Sequence, residues 1–194
     1  MTYHNIVDHL IRLCKTHNDP KAQRHAAAVF RSRYKIVASG INTIRTRCYG
    51  CSHLTSLHAE AHAMHRAFGS IITTKVLHNW MQGKMKINFK QLRKSGIKMP
   101  SKSSLMVIRI NRDDNLAESK CCSICTAMMK AVNIRKVYYS NSEGQIINRK
   151  VIDLRLEFVS TGVIIALMRN YIPQDDTVAI LVKLTKKERK LRIS

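Results

Sequence analysis

The order of predicted elements favours an α/β fold, with one mixed sheet and helices on both of its faces. Helix, hairpin, helix, strand, helix and strand patterns follow one another along the chain. The length of 194 residues suits one domain with a substantial core, and the apolar fraction of 45% is ordinary for a globular protein.

The first third of the chain predicts a helix and a hairpin. Residues 3–17 carry six apolar side chains on one side of a helix: Ile6, Val7, Leu10, Ile11, Leu13 and Cys14. Asn18-Asp19-Pro20 ends this pattern. The apolar runs 25–30 and 35–41 flank the polar sequence RSRY, which predicts a hairpin turn. Residues 43–57 are predicted to form a loop.

Two further helices and a second hairpin are predicted beyond this loop. Residues 58–68 are rich in alanine, which favours a helix, and Gly69 is a plausible stop. Residues 105–110 predict a strand, and residues 122–133 predict a helix with apolar side chains at helical spacing. A strand at 137–139 is then turned back through 141–144 into 145–151.

The domain prediction is a single domain over 1–184, with a basic surface insertion at about 70–104 and a basic tail at 185–194. The insertion carries eight lysines and arginines, no acid, and Trp80. Trp80 could stack on a base, although a small satellite core is the favoured interpretation. Residues 178–184 predict a late strand.

The net charge of +22, with a pI near 10.2, favours a polyanionic partner. Nucleic acid bound through the basic surface is the natural candidate, and a generally basic surface is the alternative. Assembly into a homo-oligomer stays open, since repulsion would oppose it without an anion.

Two features of the sequence predict the cellular compartment. They are its six cysteines and the lack of a signal-peptide or membrane-span pattern. The N-terminus lacks the apolar centre of a signal peptide, and no apolar run approaches the ~20 residues of a membrane span. We therefore expect an intracellular protein, cytoplasmic or nuclear, without a membrane partner. In a reducing compartment, closely spaced cysteines indicate metal binding or catalysis more often than disulfides.

Two short motifs at predicted helix starts contain candidate metal ligands and a carboxylate that could transfer protons. His58-Ala59-Glu60 supplies an imidazole, and Cys122-Ser123-Ile124-Cys125 supplies two thiolates. Three protein ligands leave a fourth tetrahedral position for water, as in catalytic zinc sites. A carboxylate two residues from the imidazole could then move protons at that water. The pattern predicts Zn²⁺ held by His58, Cys122 and Cys125, with Glu60 as the catalytic residue.

Together these motifs resemble the H-A-E and P-C-x-x-C signature of the zinc-dependent, cytidine deaminase-like superfamily. The resemblance covers roughly residues 20 to 165 and implies a three-layer α/β/α sandwich. It implies that Glu60 takes a proton from the zinc-bound water and delivers it to the base. It also implies that backbone amides near Ala59 and Cys122 contact the ring. Gly40-Ile41-Asn42 resembles the G-x-N element of dCMP-type deaminases, in which Asn42 would touch the sugar.

Some cysteines and histidines allow other arrangements. Cys121 stands where the family usually has proline, so it could compete with Cys122 as a ligand. Cys48 and Cys51 could form a second metal site, but a loop with free thiols is the favoured interpretation. His62 and His65 share a helical face with His58, yet two ordinary histidines are expected there.

The sequence therefore predicts hydrolytic deamination of a cytosine-type base, in a free nucleotide or nucleoside. The basic charge supports one alternative, a deaminase acting on single-stranded DNA or RNA. The other alternative is a non-catalytic nucleic-acid-binding or structural protein that keeps the deaminase fold.

Overall fold

The computed structural model describes residues 3–16, 24–43, 57–69 and 103–154. These residues form an α/β structure with a mixed sheet. The helices are α1 (Tyr3–Lys15), α2 (Ala59–Phe68) and α3 (Ser123–Ala131). The strands are β1 (His25–Phe30), β2 (Ile36–Ile41), β3 (Ser104–Ile110), β4 (Leu116–Ala117), β5 (Lys136–Ser140) and β6 (Ile146–Lys150). The predicted α/β class and mixed sheet are thus confirmed.

The main path of the sheet has the strand order β2-β1-β3-β5-β6, and β4 pairs with β3 beside it. The β1–β2, β1–β3, β3–β4 and β5–β6 pairs are antiparallel. The remaining pair of the described sheet, β3–β5, is parallel. The connection between these two strands contains α3. The ends of β3 and β5 therefore lie at the same edge of the sheet as the start of α3.

The core is divided between the two faces of the sheet. On one face, Ala26, Ala28 and Phe30 of β1 belong to a cluster with α1, which buries Ile6, Leu10 and Cys14. On the other face, Ala27 and Val29 belong to a cluster with α2 and α3. This alternation follows from the period of two in a strand. Helices thus cover both faces, as a three-layer arrangement requires.

Both predicted hairpins are confirmed. β1 and β2 are joined by a short 3-10 turn, Ser32–Tyr34, in which Arg33 and Tyr34 have positive φ. The 141–144 turn joins β5 to β6. The short strand β4 was not predicted, because two residues between polar neighbours leave no periodic signal.

Several predictions concern residues outside the described ranges. They are the late strand at 178–184, the tail at 185–194, nearly all of the 70–104 insertion with Trp80, and the pair Cys48 and Cys51. Within the ranges that are described, no helix combines the length and the apolar character needed to cross a membrane.

Candidate metal centre

Two helix N-termini bring the predicted ligands together. His58 is the N-cap of α2 and Cys122 is the N-cap of α3, both with extended backbone. Cys125 lies in the first turn of α3, three residues on, so both sulfurs leave the helix on one side. Peptide dipoles at a helix N-terminus favour negative charge, which suits two thiolates.

The spacing of the three ligand atoms fits a tetrahedral metal. His58 Nδ1 lies 3.4 Å from Cys122 Sγ and 3.4 Å from Cys125 Sγ. All three ligand atoms lie within 4.8 Å of one another. Tetrahedral zinc with its usual bond lengths would separate a nitrogen and a sulfur ligand by about 3.6 Å. The His-Cys-Cys group could therefore bind a metal ion with little rearrangement.

Charge and hydrogen bonding within the group favour the metal-binding form of one ligand, the Cys122 thiolate. A hydrogen bond from the Cys125 thiol, followed by the charge and hydrogen bond of His58, holds the pKa of the Cys122 thiol well below its ordinary value. Burial would lower the pKa of His58, but the Cys122 thiolate raises it to about 9. The hydrogen bond with Cys122, followed by burial, raises the pKa of the Cys125 thiol well above its ordinary value. Metal binding would therefore release protons from both His58 and Cys125.

Glu60 is a buried carboxyl next to this group. Its side chain lies in the first turn of α2 and is 4% exposed. Burial raises the pKa of the Glu60 carboxyl, while the positive charge of His58 opposes that shift. A carboxyl with a raised pKa can act both as a proton acceptor and as a proton donor near neutral pH.

Cys121 faces Glu60 instead of joining the metal ligands. Its buried thiol donates a hydrogen bond to the Glu60 carboxylate, and burial raises its pKa well above the ordinary value. In the described part of the chain, the one group of metal-binding side chains consists of His58, Cys122 and Cys125. The geometry therefore favours Cys122 over Cys121 as the first sulfur ligand.

The position of α2 is set by close packing against β2. A Cβ on Gly40 would lie 2.4 Å from the Ala63 nitrogen, so only glycine allows this approach. His62 Nδ1 lies 3.0 Å from the Ile41 carbonyl oxygen and donates to it. This hydrogen bond connects α2 to β2. It agrees with the expectation that His62 is not a metal ligand.

The cysteine-bearing segment is held at the ends of β3 and β5 by two buried serines. Ser119 Oγ donates to the Val107 carbonyl oxygen at 2.9 Å and accepts from the Ser140 backbone N–H at 2.9 Å. The Ser119 backbone N–H donates to the Ser140 carbonyl oxygen, also at 2.9 Å. Ser140 Oγ donates to Ser119 Oγ at 2.9 Å. These bonds fix the chain just before Cys121.

Of the two predicted substrate contacts, Ala59 adjoins His58 in sequence, and Asn42 precedes a residue that pairs with the segment before His58. Ala59 is fully buried as the first residue of α2. Asn42 follows β2, and its backbone N–H donates to the His25 carbonyl oxygen at 3.0 Å. Thr43 then pairs with Leu57, directly before His58, through backbone hydrogen bonds of 3.0 and 2.7 Å.

Sequence reasoning missed four polar residues around the centre: His25, Arg109, Ser119 and Ser140. From the sequence, His25 is only the first residue of an apolar run. The period of two from Ala27 and Val29 would have placed it on their face of the sheet. The two serines carried no signal of their own, because their partnership depends on the parallel pairing of β3 and β5.

Comparisons with known proteins add no family assignment. No protein-family model matches the chain, and no match was found among the curated proteins.

Proposed function

We propose that the chain is a zinc-dependent hydrolytic deaminase of the cytidine deaminase-like superfamily. Its substrate would be a cytosine-type base in a free nucleotide or nucleoside, and its fold the three-layer α/β/α sandwich of that superfamily. One observation carries the proposal. His58 Nδ1 lies 3.4 Å from both sulfurs, and the buried Glu60 carboxyl lies in the same helical turn as His58.

The donor set supports zinc as the metal. Two thiolates and one imidazole are ligands that zinc accepts in tetrahedral geometry. Three protein ligands leave one position free, which distinguishes catalytic zinc sites from structural ones. When bound, the ion would supply Lewis acidity that makes water a nucleophile near neutral pH.

Glu60 would carry the proton transfers. Its carboxylate would take a proton from the attacking water and pass it to the ring nitrogen of the base. It would then help to protonate the departing amine, so that water and the amino-base become the keto-base and ammonia. The Cys121 thiol, which donates to this carboxylate, would hold the side chain in place.

The substrate class is supported by Asn42 and challenged by the net charge. Asn42 lies at the end of β2 beside the centre, where a sugar contact is expected. The charge of +22 favours the alternative of a single-stranded DNA or RNA substrate, which needs a basic groove leading to the centre. It equally favours a non-catalytic nucleic-acid-binding protein.

A substrate panel with zinc quantification separates these three functions. Zinc-loaded protein is incubated with cytosine, cytidine, dCMP, adenine and guanine nucleotides, and cytosine-containing oligonucleotides. We expect turnover of the monomeric cytosine substrates, abolished in Glu60→Gln and kept in the exposed control Glu118→Gln. Oligonucleotide turnover with steep salt dependence would support the first alternative. Salt-sensitive binding without turnover would support the second.

A further inference from the structure

Three polar side chains form a row across three neighbouring strands. His25 is the register partner of Arg109 on β3. On its other side, the backbone N–H of Asn42 donates to the His25 carbonyl oxygen, one residue beyond the Ala26–Ile41 pair. Residues opposite one another in antiparallel strands have Cβ atoms about 5 Å apart and point to the same face. Asn42, His25 and Arg109 are therefore adjacent.

This row lies on the face of the sheet that carries the metal centre. His25 has the same parity along β1 as Ala27 and Val29, which pack in one cluster with Cys122 and Cys125. The charge of His58 also acts on the His25 imidazole. The row thus borders the centre at the edge of the sheet where α2 begins.

Two atoms of the row are buried and have no hydrogen-bond partner among the residues that the structure describes. They are His25 Nε2 and Asn42 Oδ1. A buried polar atom without a partner costs about 1–3 kcal/mol, so proteins retain few of them. Two such atoms on facing residues, beside a candidate catalytic centre, indicate that a ligand group completes them.

The chemistry of the two atoms defines that group. An amide oxygen only accepts hydrogen bonds, so Asn42 Oδ1 needs a donor. Burial, helped by the charges of Arg109 and His58, lowers the pKa of His25 to about 3, so the ring is neutral at pH 7 and Nε2 can accept or donate. A hydroxyl both donates and accepts, and it carries no charge to be buried. A hydroxyl therefore satisfies both atoms together.

We propose that His25 Nε2 and Asn42 Oδ1 together bind one sugar hydroxyl of the substrate. His25 is then a specificity-determining residue, which selects nucleosides and nucleotides over free bases. This inference rests on the proposed deaminase function, and it adds a second sugar contact to the one expected from Asn42.

Ligand binding to the Glu60→Gln variant, which should not turn over its substrate, tests the proposal without depending on turnover. Zinc-loaded Glu60→Gln is titrated calorimetrically with cytidine, deoxycytidine and cytosine, alone and combined with His25→Leu or His25→Gln. Leucine fills the space without a polar atom, and glutamine places an amide near the former Nε2. The control is His4→Leu, which alters an exposed histidine on α1.

We expect His25→Leu to weaken cytidine binding about tenfold or more and to leave the Kd of cytosine within about twofold, since one hydroxyl contact is lost. His25→Gln should restore part of the preference, and His4→Leu should change neither Kd. Equal weakening of cytosine and cytidine would overturn the proposal, as would an unchanged preference or failure of zinc-loaded protein to bind any nucleoside.

Turnover distinguishes this failure from failure of the proposed function. Nucleoside binding that depends on His25, without deamination of any substrate by wild-type protein, would refute the deaminase proposal alone. Deamination with a cytidine-to-cytosine ratio of kcat/KM unchanged by His25→Leu would refute the hydroxyl proposal alone.

Discussion

Gly40 on β2 lies against the backbone of Ala63 on α2, so closely that a Cβ on Gly40 would stand 2.4 Å from the Ala63 nitrogen. The same Cβ would stand 2.8 Å from the His62 Cβ. Backbone atoms of a helix cannot yield locally, so any side chain at residue 40 must push α2 away from the sheet. Because α2 carries His58 and Glu60, this contact determines where the candidate centre lies.

We therefore expect Gly40→Ala to destabilise the fold and to weaken metal binding. Overpacking of this kind costs about 1–3 kcal/mol in the free energy of unfolding. Displacement of α2 moves His58 away from the two sulfurs, so zinc content per chain should fall. Urea denaturation and elemental analysis measure the two effects.

Gly69→Ala provides the control for Gly40→Ala. Gly69 ends α2 with φ of 90°, and a Cβ there would meet nothing within 4 Å. Its alanine variant should lose about 1–3 kcal/mol, because its backbone conformation is one that almost only glycine adopts, and its zinc content should be unchanged. Full zinc content in Gly40→Ala would contradict the idea that this packing positions the centre.

The elements around the centre were predictable where their patterns are local. The amphipathic stripe of α1 and the alanine-rich sequence of α2 depend only on neighbouring residues. The same holds for His58-Ala59-Glu60 and for Cys122 and Cys125, whose types and spacing suggest metal chemistry by themselves. The structure brings these ligand atoms within 4.8 Å of one another.

The features that the sequence does not predict depend on contacts between residues far apart in the chain. The role proposed for His25 depends on Asn42 and Arg109, which lie on either side of it on segments distant in sequence. The direction of the Cys121 thiol toward Glu60 depends on how α3 meets α2, which no local pattern records. β4 exists because its two residues pair with Arg109 and Ile110 of β3.

Single substitutions should separate the metal ligands from Cys121. We expect Cys122→Ser, Cys125→Ser and His58→Ala each to reduce bound zinc from about one ion per chain to a small fraction, because each removes one of three ligands. Cys121→Ser should retain zinc, since the Cys121 thiol donates a hydrogen bond to Glu60 and is not a metal ligand. Elemental analysis after dialysis against a weak chelator gives the stoichiometry.

Thermal unfolding provides an independent check of the same assignment. A metal that binds only the folded chain raises its stability, so a strong chelator should lower the Tm of wild type and of Cys121→Ser. The three ligand variants should show little further change with the chelator. Zinc loss in Cys121→Ser, with zinc retained in Cys122→Ser, would reverse the ligand assignment.

Ser119→Ala should destabilise the protein more than its small volume suggests. Ser119 Oγ bonds with the Val107 carbonyl oxygen, the Ser140 backbone N–H and the Ser140 hydroxyl, each at 2.9 Å. Its removal leaves buried groups unpaired, which costs about 1–3 kcal/mol. In a chain of this size, the Tm should fall by roughly 2–12 °C.

The matched control for Ser119→Ala is Ser142→Ala. Ser142 is exposed in the turn between β5 and β6, so its loss should change the Tm by less than about 2 °C. Differential scanning calorimetry compares both variants with wild type. Equal melting temperatures for the two variants would show that the serine pair does not hold the cysteine-bearing segment.

The stability of the fold should depend on pH through His25. Burial, then the charges of Arg109 and His58, lowers the pKa of the folded His25 imidazole from 6.5 to about 3. Between these two values the unfolded chain binds a proton that the folded chain does not. The free energy of unfolding therefore falls as pH falls below 6.5, by about 2 kcal/mol at pH 5 from this group alone.

His25→Leu should remove that loss, because leucine does not titrate. Urea denaturation of wild type and variant at pH 7.5 and pH 5.0, both metal-free, gives the difference in unfolding free energy at each pH. The variant should gain about 2 kcal/mol relative to wild type on going to pH 5.0. The control variant is His4→Leu, which changes an exposed residue of α1 and should not reproduce this gain. A difference independent of pH would mean that the folded His25 imidazole titrates as it does in the unfolded chain, so that burial does not lower its pKa.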